Sequence, residues 1–247
     1  MSVTVTFVGS GDAFGVGGRF NTCFLVDAPD VRFVIDFGAT SLVALNQLGI
    51  DHNTIDAIVL THIHADHSAG IPFLLVDAML AAKRTRPLLI AGPRDIEARM
   101  AEVNEALFPG MHVMEPKFPL SYLELDVMTE SAVGDHIKVT PYPALHTGAT
   151  NPTSIRCQIG DKIISYTGDS AWTKHMPMLG QDADLLIAES YSYEKPVRFH
   201  LNYPDIKAHW DEFGAKRIIL THFGRDMLEM KDQVPEECAY DGLIVDV

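Results

Sequence analysis

The chain has 247 residues, 47% of them apolar, and its 19 basic and 33 acidic side chains give a formal net charge of -14 at pH 7. This length can bury the core of one domain spanning residues 1–247. The negative charge disfavours non-specific binding of long nucleic acid over most of the surface, because like charges repel the phosphate backbone; local basic patches stay possible.

Cysteine usage and the N-terminus predict a cytoplasmic protein. Cys23, Cys157 and Cys238 are odd in number and far apart, so they do not suit a disulfide framework. The N-terminal "MSVTVTFVGSG" lacks a basic region followed by an apolar one, which a signal peptide would need. The longest apolar stretch, "IPFLLVDAMLAA", is short and interrupted by Asp77, so no membrane association is expected.

The first half of the chain predicts three strands followed by helices that alternate with strands. The three strands are "VTVTFVG", "TCFLVDA" and "VRFVIDFG". The following elements are, in order, helix "SLVALNQLG", strand "DAIVL", helix "IPFLLVDAMLAAKR", strand "PLLIAG" and helix "RDIEARMAEVNEALF".

The segment from Phe108 to Tyr122 is rich in Pro, Met and Phe, and after Gly110 its sequence pattern predicts neither a helix nor a strand. Its composition suits core packing or a contact in a homodimer, and equally a wall of the substrate cleft. All three interpretations stay open on the sequence.

The second half again alternates between strands and a helix from about Pro204 to Phe213. The predicted strands are "HIKVTPYP", "SIRCQIG", "KIISYTGD", "ADLLIAES", "RIILTH" and "LIVDV". Two β-rich halves with interspersed helices predict an α/β sandwich of four layers, with two mixed sheets packed together and helices on both outer faces.

Polar residues with metal-binding side chains follow several of the predicted strands. They are the first polar groups after buried strands, so we expect them to converge at one edge of the sheets. These residues are His62, His64, Asp66 and His67 after "AIVL", His146 after "KVTPYPAL", Asp169 after "KIISYTG" and His222 after "RIILT".

Such a set of imidazoles and carboxylates predicts a metal centre. Neutral histidines with carboxylates suit zinc first, and manganese or iron as alternatives, whereas calcium and magnesium prefer oxygen ligands. The pair His62 and His64 can face one ion, and the adjacent Asp66 and His67 a second. Asp169 is the candidate for a carboxylate that bridges two ions about 3.5–4 Å apart.

The motif "HIHADH" resembles the HxHxDH signature of the metallo-β-lactamase superfamily, and the resemblance runs nearly the full length of the chain. It implies an αβ/βα sandwich with a dinuclear site at the cleft between the sheets. It also implies that Asp36 in "VIDFG" orders the motif loop without binding metal. By motif, one ion would be held by His62, His64 and His146, the other by Asp66, His67 and His222, and Asp169 would bridge both.

Residues 185 to 224 resemble the C-terminal part of ribonuclease Z and its small phosphodiesterase relatives. In that branch a glutamate at a strand end pairs with a histidine before a helix, and Glu189 and His200 match those positions. Two departures stand out: Asn202 replaces the usual small residue, and the short "QIGDKI" replaces the long arm that grips tRNA in bacterial forms.

The expected function is therefore hydrolysis of a small cyclic or nucleotide phosphodiester. A hydroxide bridging the two ions would attack, Asp66 would orient or accept the proton, and His200, kept basic by Glu189, would protonate the leaving alkoxide. The alternatives are a lactonase or thioesterase of the same fold, a tRNA 3′-processing endonuclease without the arm, and a metal-binding protein without turnover.

Overall fold

The computed structural model describes residues 2–110 and 115–247, which form two sheets and the helices that cover them. The strands are β1 (Thr4–Gly9), β2 (Cys23–Ala28), β3 (Val31–Ile35), β4 (Ala57–Val59), β5 (Leu88–Gly92), β6 (Leu120–Glu124), β7 (Ser131–Val133), β8 (Ile137–Pro143), β9 (Thr153–Ile159), β10 (Lys162–Tyr166), β11 (Leu185–Glu189), β12 (Ile218–Thr221), β13 (Glu237–Cys238) and β14 (Ile244–Asp246). The helices are α1 (Ser41–Gln47), α2 (Ala65–Ser68), α3 (Ile71–Leu80), α4 (Ile96–Leu107), α5 (Met176–Gly180), α6 (Tyr203–Ala208) and α7 (Arg225–Met230).

Each sheet combines antiparallel and parallel strands. The first has the order β14-β1-β2-β3-β4-β5-β6, and the second has the order β13-β12-β11-β10-β9-β8-β7. Strands β3 to β6 run parallel in the first sheet and β10 to β13 in the second. Because parallel strands end on the same side of a sheet, the loops after β4, β10, β11 and β12 can meet.

Three apolar layers hold the sheets and helices together, which confirms the predicted four-layer sandwich. The inner layer lies between the sheets, where Phe24 packs edge-on against Phe7 and Tyr166 with ring centroids 5.0 Å apart in both pairs. Helices α1, α3 and α4 cover the outer face of the first sheet, and α5, α6 and α7 cover that of the second. Among the described residues, no helix is long and apolar enough to cross a membrane.

Several short elements differ from the sequence-based expectation. Strand β6 lies partly within the segment predicted to be irregular, because pairing with β5 in the register Leu88↔Leu120 supplies what the local pattern lacks. The described part of that segment contributes to the core, since Phe118 is 4% exposed, whereas residues 111–114 lie outside the described residues. The predicted helix from Pro204 to Phe213 ends at Ala208 and continues as a single 3₁₀ turn.

Candidate metal centre

The first group of candidate ligands comes from the loop after β4 and from the end of β8. The His64 Nδ1 atom lies 3.1 Å from His62 Nε2 and 3.1 Å from His146 Nε2. His62 is fully buried and His64 is partly exposed to the cleft. Three imidazole nitrogens therefore converge on one point, although His146 lies more than 80 positions from the other two residues.

The second group lies beside the first and is buried. Helix α2 begins after His64 and places Asp66 and His67 on one short turn. The His67 Nε2 atom lies 3.2 Å from both Asp66 Oδ2 and Asp169 Oδ1. The His222 Nε2 atom lies 3.3 Å from Asp66 Oδ2 and 3.4 Å from Asp169 Oδ1. The other Asp169 oxygen is 4.0 Å from His146 Nε2, so this carboxylate stands between the two groups.

These distances fit divalent cations of the size of zinc. Ligand atoms about 2.0–2.1 Å from a tetrahedral zinc ion are about 3.4 Å from one another, close to the separations in both groups. Within the part of the chain that the structure describes, the buried His67 Nε2 and Asp169 Oδ1 atoms have no hydrogen-bond partner. Buried polar atoms of this kind need a partner, and a cation would supply one.

The charge around His67 also fits a cation. Burial by itself lowers the pKa of His67, but the carboxylates of Asp169, Asp66 and Asp36 outweigh burial and hold that pKa well above its usual value. Three carboxylates thus lie around one buried imidazole, and buried charge is costly unless it is paired.

Asp36 orders the motif loop from behind. It follows β3, has a left-handed backbone with φ +58°, and is fully buried. Its Oδ1 accepts the backbone N–H of Thr61 at 2.8 Å, and its Oδ2 accepts the Thr61 hydroxyl at 2.8 Å and Nδ1 of His67 at 2.6 Å. The bond to Nδ1 leaves Nε2 of His67 facing the second group of ligands.

Glu189 and His200 form a hydrogen-bonded pair at the edge of the centre. Glu189 ends β11 and is fully buried; its Oε1 accepts from His200 Nδ1, and its Oε2 accepts the N–H groups of Ser170 at 3.0 Å and Leu201 at 3.2 Å. The His200 ring centroid is 4.9 Å from that of His146, so the ring faces the candidate ligands. Burial lowers the pKa of His200, but the Glu189 carboxylate outweighs it and raises that pKa above its usual value.

Sequence reasoning missed three contacts around this pair, two made by His200 and one by the neighbouring His146. Tyr191 stacks on His200 with ring centroids 4.6 Å apart and planes 28° apart. The carbonyl of Phe199, a residue with φ +70°, accepts from His146 Nδ1 at 2.9 Å. The Asn202 amide donates to the His200 carbonyl at 2.9 Å, so the residue that departs from the ribonuclease Z pattern has a structural role here. No local sequence signal marks Tyr191 or the Phe199 carbonyl.

The structure brings every predicted site residue to one cleft at the edge of the two sheets. They are His62, His64, Asp66, His67, His146, Asp169, Glu189, His200 and His222. The arrangement can hold two cations next to each other, with His200, whose pKa is raised by Glu189, beside them.

Comparison with known proteins identifies relatives along nearly the whole chain. A family model described as "Anti-Pycsar protein Apyc1" matches residues 3–239. A Ribonuclease Z from Lachnoclostridium phytofermentans is 29% identical, over 94% of this chain and 91% of the relative. One from Agathobacter rectalis is 24% identical with the same coverage. An Anti-Pycsar protein Apyc1 from Paenibacillus xerothermodurans is 41% identical, over 29% of this chain and 28% of the relative.

Solved structures share the fold at low sequence identity. The metallo-β-lactamase fold protein YhfI from Bacillus subtilis has a TM-score of 0.80 and 22% identity, and covers 100% of both chains. The short form of human tRNase Z has a TM-score of 0.79 and 20% identity, and covers 98% of both chains. These similarities confirm the metallo-β-lactamase fold that the sequence motif predicted.

Proposed function

The chain belongs to the family described as Anti-Pycsar protein Apyc1 and is a metal-dependent hydrolase with the metallo-β-lactamase fold; from its site we propose that it is a phosphodiesterase acting on small cyclic or nucleotide phosphodiesters. The observation that carries this proposal is the buried Glu189 carboxylate that holds His200 beside two groups of metal-binding side chains. A phosphodiester with an alkoxide leaving group needs both cations for its charge and an acid for its leaving oxygen.

Two divalent ions per chain fit the donors, with zinc first and manganese or iron as alternatives. In this proposal one ion is held by nitrogens of His62, His64 and His146, and the other by Asp66, His67 and His222, with Asp169 shared. When bound, two such ions lower the pKa of a water molecule and take up negative charge on phosphoryl oxygens.

The side chains then divide the proton transfers between them. Asp66 lies at the centre of the second group, where its carboxylate can orient the attacking water and receive its proton. His200 bonds to Glu189 through Nδ1, which leaves the Nε2 proton for the leaving oxygen. Because Glu189 raises the pKa of His200, it favours the imidazolium form that this donation needs.

Surface charge and the short β9–β10 connection favour small substrates. Only Gly160 and Asp161 join β9 to β10, where bacterial ribonuclease Z carries its tRNA-gripping arm by the resemblance noted above. The net charge of -14 opposes binding of a long polyanion. Processing of tRNA remains the second candidate because two relatives that match along most of the chain are named Ribonuclease Z.

We also propose a reducing compartment such as the cytoplasm, since Cys23 and Cys157 are buried free thiols.

The test compares ester classes on zinc-loaded protein. We expect hydrolysis of bis(p-nitrophenyl) phosphate and of 3′,5′-cyclic nucleotides, and little or none of a thioester or a lactone. His64→Ala should lower metal content, measured by mass spectrometry of the metals, and abolish turnover. His136→Ala, which changes an exposed histidine in the β7–β8 turn, is the matched control. Preferred hydrolysis of the thioester or the lactone would contradict the proposal.

A further inference from the structure

The candidate ligand His222 has a backbone conformation that must be held in place. Its φ is +59°, in the left-handed region that residues other than glycine enter only uncommonly. A residue stays in such a conformation only when its surroundings fix it there. From this conformation its Nε2 lies 3.3 Å from Asp66 Oδ2 and 3.4 Å from Asp169 Oδ1. The contacts that fix the His222 backbone therefore also fix one ligand of the second group.

The Ser10 carbonyl is the hydrogen-bond partner of that backbone. It accepts the His222 N–H at 3.2 Å and the Thr221 hydroxyl at 3.2 Å. The next residue, Gly11, forms a parallel β-bridge with Phe223, so the chain is held on both sides of His222. Ser10 is fully buried and follows β1 of the first sheet, whereas His222 follows β12 of the second. The ligand is thus held across the junction of the two sheets.

Asp241 supports the peptide group between Ser10 and Gly11 at both of its ends. The Asp241 Oδ1 atom accepts the Ser10 N–H at 2.9 Å and the Ser10 hydroxyl at 2.7 Å. Its Oδ2 accepts the Phe20 N–H at 2.8 Å, and the Phe20 carbonyl in turn accepts the Gly11 N–H at 2.7 Å. One carboxylate therefore fixes the peptide group whose carbonyl faces His222.

The turn that carries Asp241 is attached to both sheets. The Ala239 N–H donates to the Leu220 carbonyl of β12 at 2.8 Å, and the Gly242 N–H donates to the Phe7 carbonyl of β1 at 2.8 Å. Within residues 2–110 and 115–247, the Asp241 carboxylate bonds to none of the candidate metal ligands. Its effect on the centre must therefore pass through the peptide group that it supports.

We propose that Asp241 is a positioning residue of the candidate metal centre: through the Ser10 carbonyl it keeps the His222 backbone left-handed, so that His222 can bind the second ion. The proposal rests on the two-ion centre of the proposed function and adds a residue outside the metal-binding motif. Asp241→Asn keeps the size of the side chain but replaces one acceptor oxygen by an amide nitrogen. That nitrogen can only donate, so it would face another donor, either the Phe20 N–H or the two donors of Ser10.

Zinc affinity in two variants that each keep one ion site tests the proposal. His64→Ala weakens the first group and leaves the second to bind zinc, whereas Asp66→Ala does the reverse. In a chelator competition, adding Asp241→Asn to His64→Ala should weaken zinc binding about 10- to 100-fold, the usual effect of losing a group that orients a ligand. Adding Asp241→Asn to Asp66→Ala should leave zinc binding unchanged, because the first group is held by other elements.

Asp184→Asn is the matched control, since it removes the same charge from another partly buried aspartate. Asp184 accepts the Ile163 N–H at 2.9 Å and lies before β11, at the end of the second sheet away from the candidate ligands. It should change neither zinc affinity. Ser10→Ala is a milder variant that removes one donor to Asp241 and keeps the carbonyl, so it should weaken the second ion less. If Asp241→Asn does not fold, Ser10→Ala carries the same comparison.

Activity gives a second measurement that separates positioning from catalysis. Saturating zinc should restore kcat of the Asp241→Asn variant, because the substitution weakens binding of an ion and removes no group that touches the substrate. A kcat that stays low with both ions bound would overturn the proposal.

Three further results would overturn the role of Asp241. They are an unchanged zinc affinity of the second group, an equal weakening in both backgrounds, which would mean that Asp241 supports only the fold, and the same loss in Asp184→Asn. A wild type that binds no second ion would overturn this role together with the two-ion centre. A wild type that binds two ions but prefers a lactone would contradict only the proposed phosphodiesterase function, and the zinc affinities would still decide the role of Asp241.

Discussion

Replacing His200 by alanine is expected to slow hydrolysis of phosphodiesters with alkoxide leaving groups by about 10²-fold or more, within the range that general acids contribute. The reason is that an alkoxide leaves poorly unless a proton reaches it in the transition state. A nitrophenolate leaves readily without one, so bis(p-nitrophenyl) phosphate should be slowed much less.

Two features of the structure support the acid role and an unchanged metal content. His200 Nδ1 is bound to a fully buried carboxylate, which raises the histidine pKa and so favours the acid form. A 10²-fold loss corresponds to about 2.7 kcal/mol in activation free energy. The His200 Nδ1 atom is 3.9 Å from the nearer Asp169 oxygen and occupies neither group of proposed ligands, so metal content should stay the same.

The assay measures kcat/KM against leaving-group pKa for a series of alkyl and aryl phosphodiesters, with metal content determined on the same samples. The His200→Ala variant should show a steeper dependence than the wild type. Glu189→Gln should show the same change more weakly, because it removes only the negative charge that orients His200 and stabilises its protonated form. His136→Ala should behave as the wild type.

Two results would refute the acid role. One is an equal slowing of alkyl and aryl substrates, which would mean that His200 orders the site without transferring a proton. The other is a loss of metal from the His200→Ala variant, which would mean that His200 is itself a metal ligand. Either result would strengthen the lactonase or thioesterase interpretation, in which the reaction does not need the Glu189–His200 pair as an acid.

Three further predictions concern the metal centre and the core. Asp36→Asn should weaken metal binding about 10- to 100-fold, the usual effect of losing a group that orients metal ligands. The reason is that the amide keeps fewer of the hydrogen bonds to Thr61 and His67. Unchanged affinity in a chelator competition would exclude the orienting role of Asp36. Chelation should lower Tm, since an ion at 100 times its Kd stabilises the folded state by about 2.7 kcal/mol, and an unaltered melting curve after complete metal removal would contradict a native-state site. Phe24→Ala should lower the free energy of unfolding, measured in urea, by about 3–5 kcal/mol, because Phe24 packs between Phe7 and Tyr166. A loss below about 1 kcal/mol would mean that neighbouring side chains of the inner layer move into the cavity left by the ring.

The sequence by itself determined the strand ends and the chemistry that follows them. The alternation of apolar and polar residues and the continuous apolar runs are local features of the sequence. Strands β4, β8, β10 and β12 could therefore be predicted, along with the residues that follow them. His62, His64, Asp66 and His67 lie within six positions, which made a candidate metal centre recognisable without any tertiary contact. The remaining candidate ligands could be named because each is the first polar group after such a strand.

Only the tertiary structure decided which distant groups meet. Strand β6 exists because β5 pairs with it, and its own residues carry no clear alternation. Tyr191 stacking on His200 and the Phe199 carbonyl bonding to His146 depend on the path of one loop, which no residue type announces. The cavity lined by Arg94, Asp126, Pro143 and Asn151 is built by four separate segments that become neighbours only when the two sheets pack. Contacts between residues far apart in the chain are set by packing, and packing is a property of the whole fold.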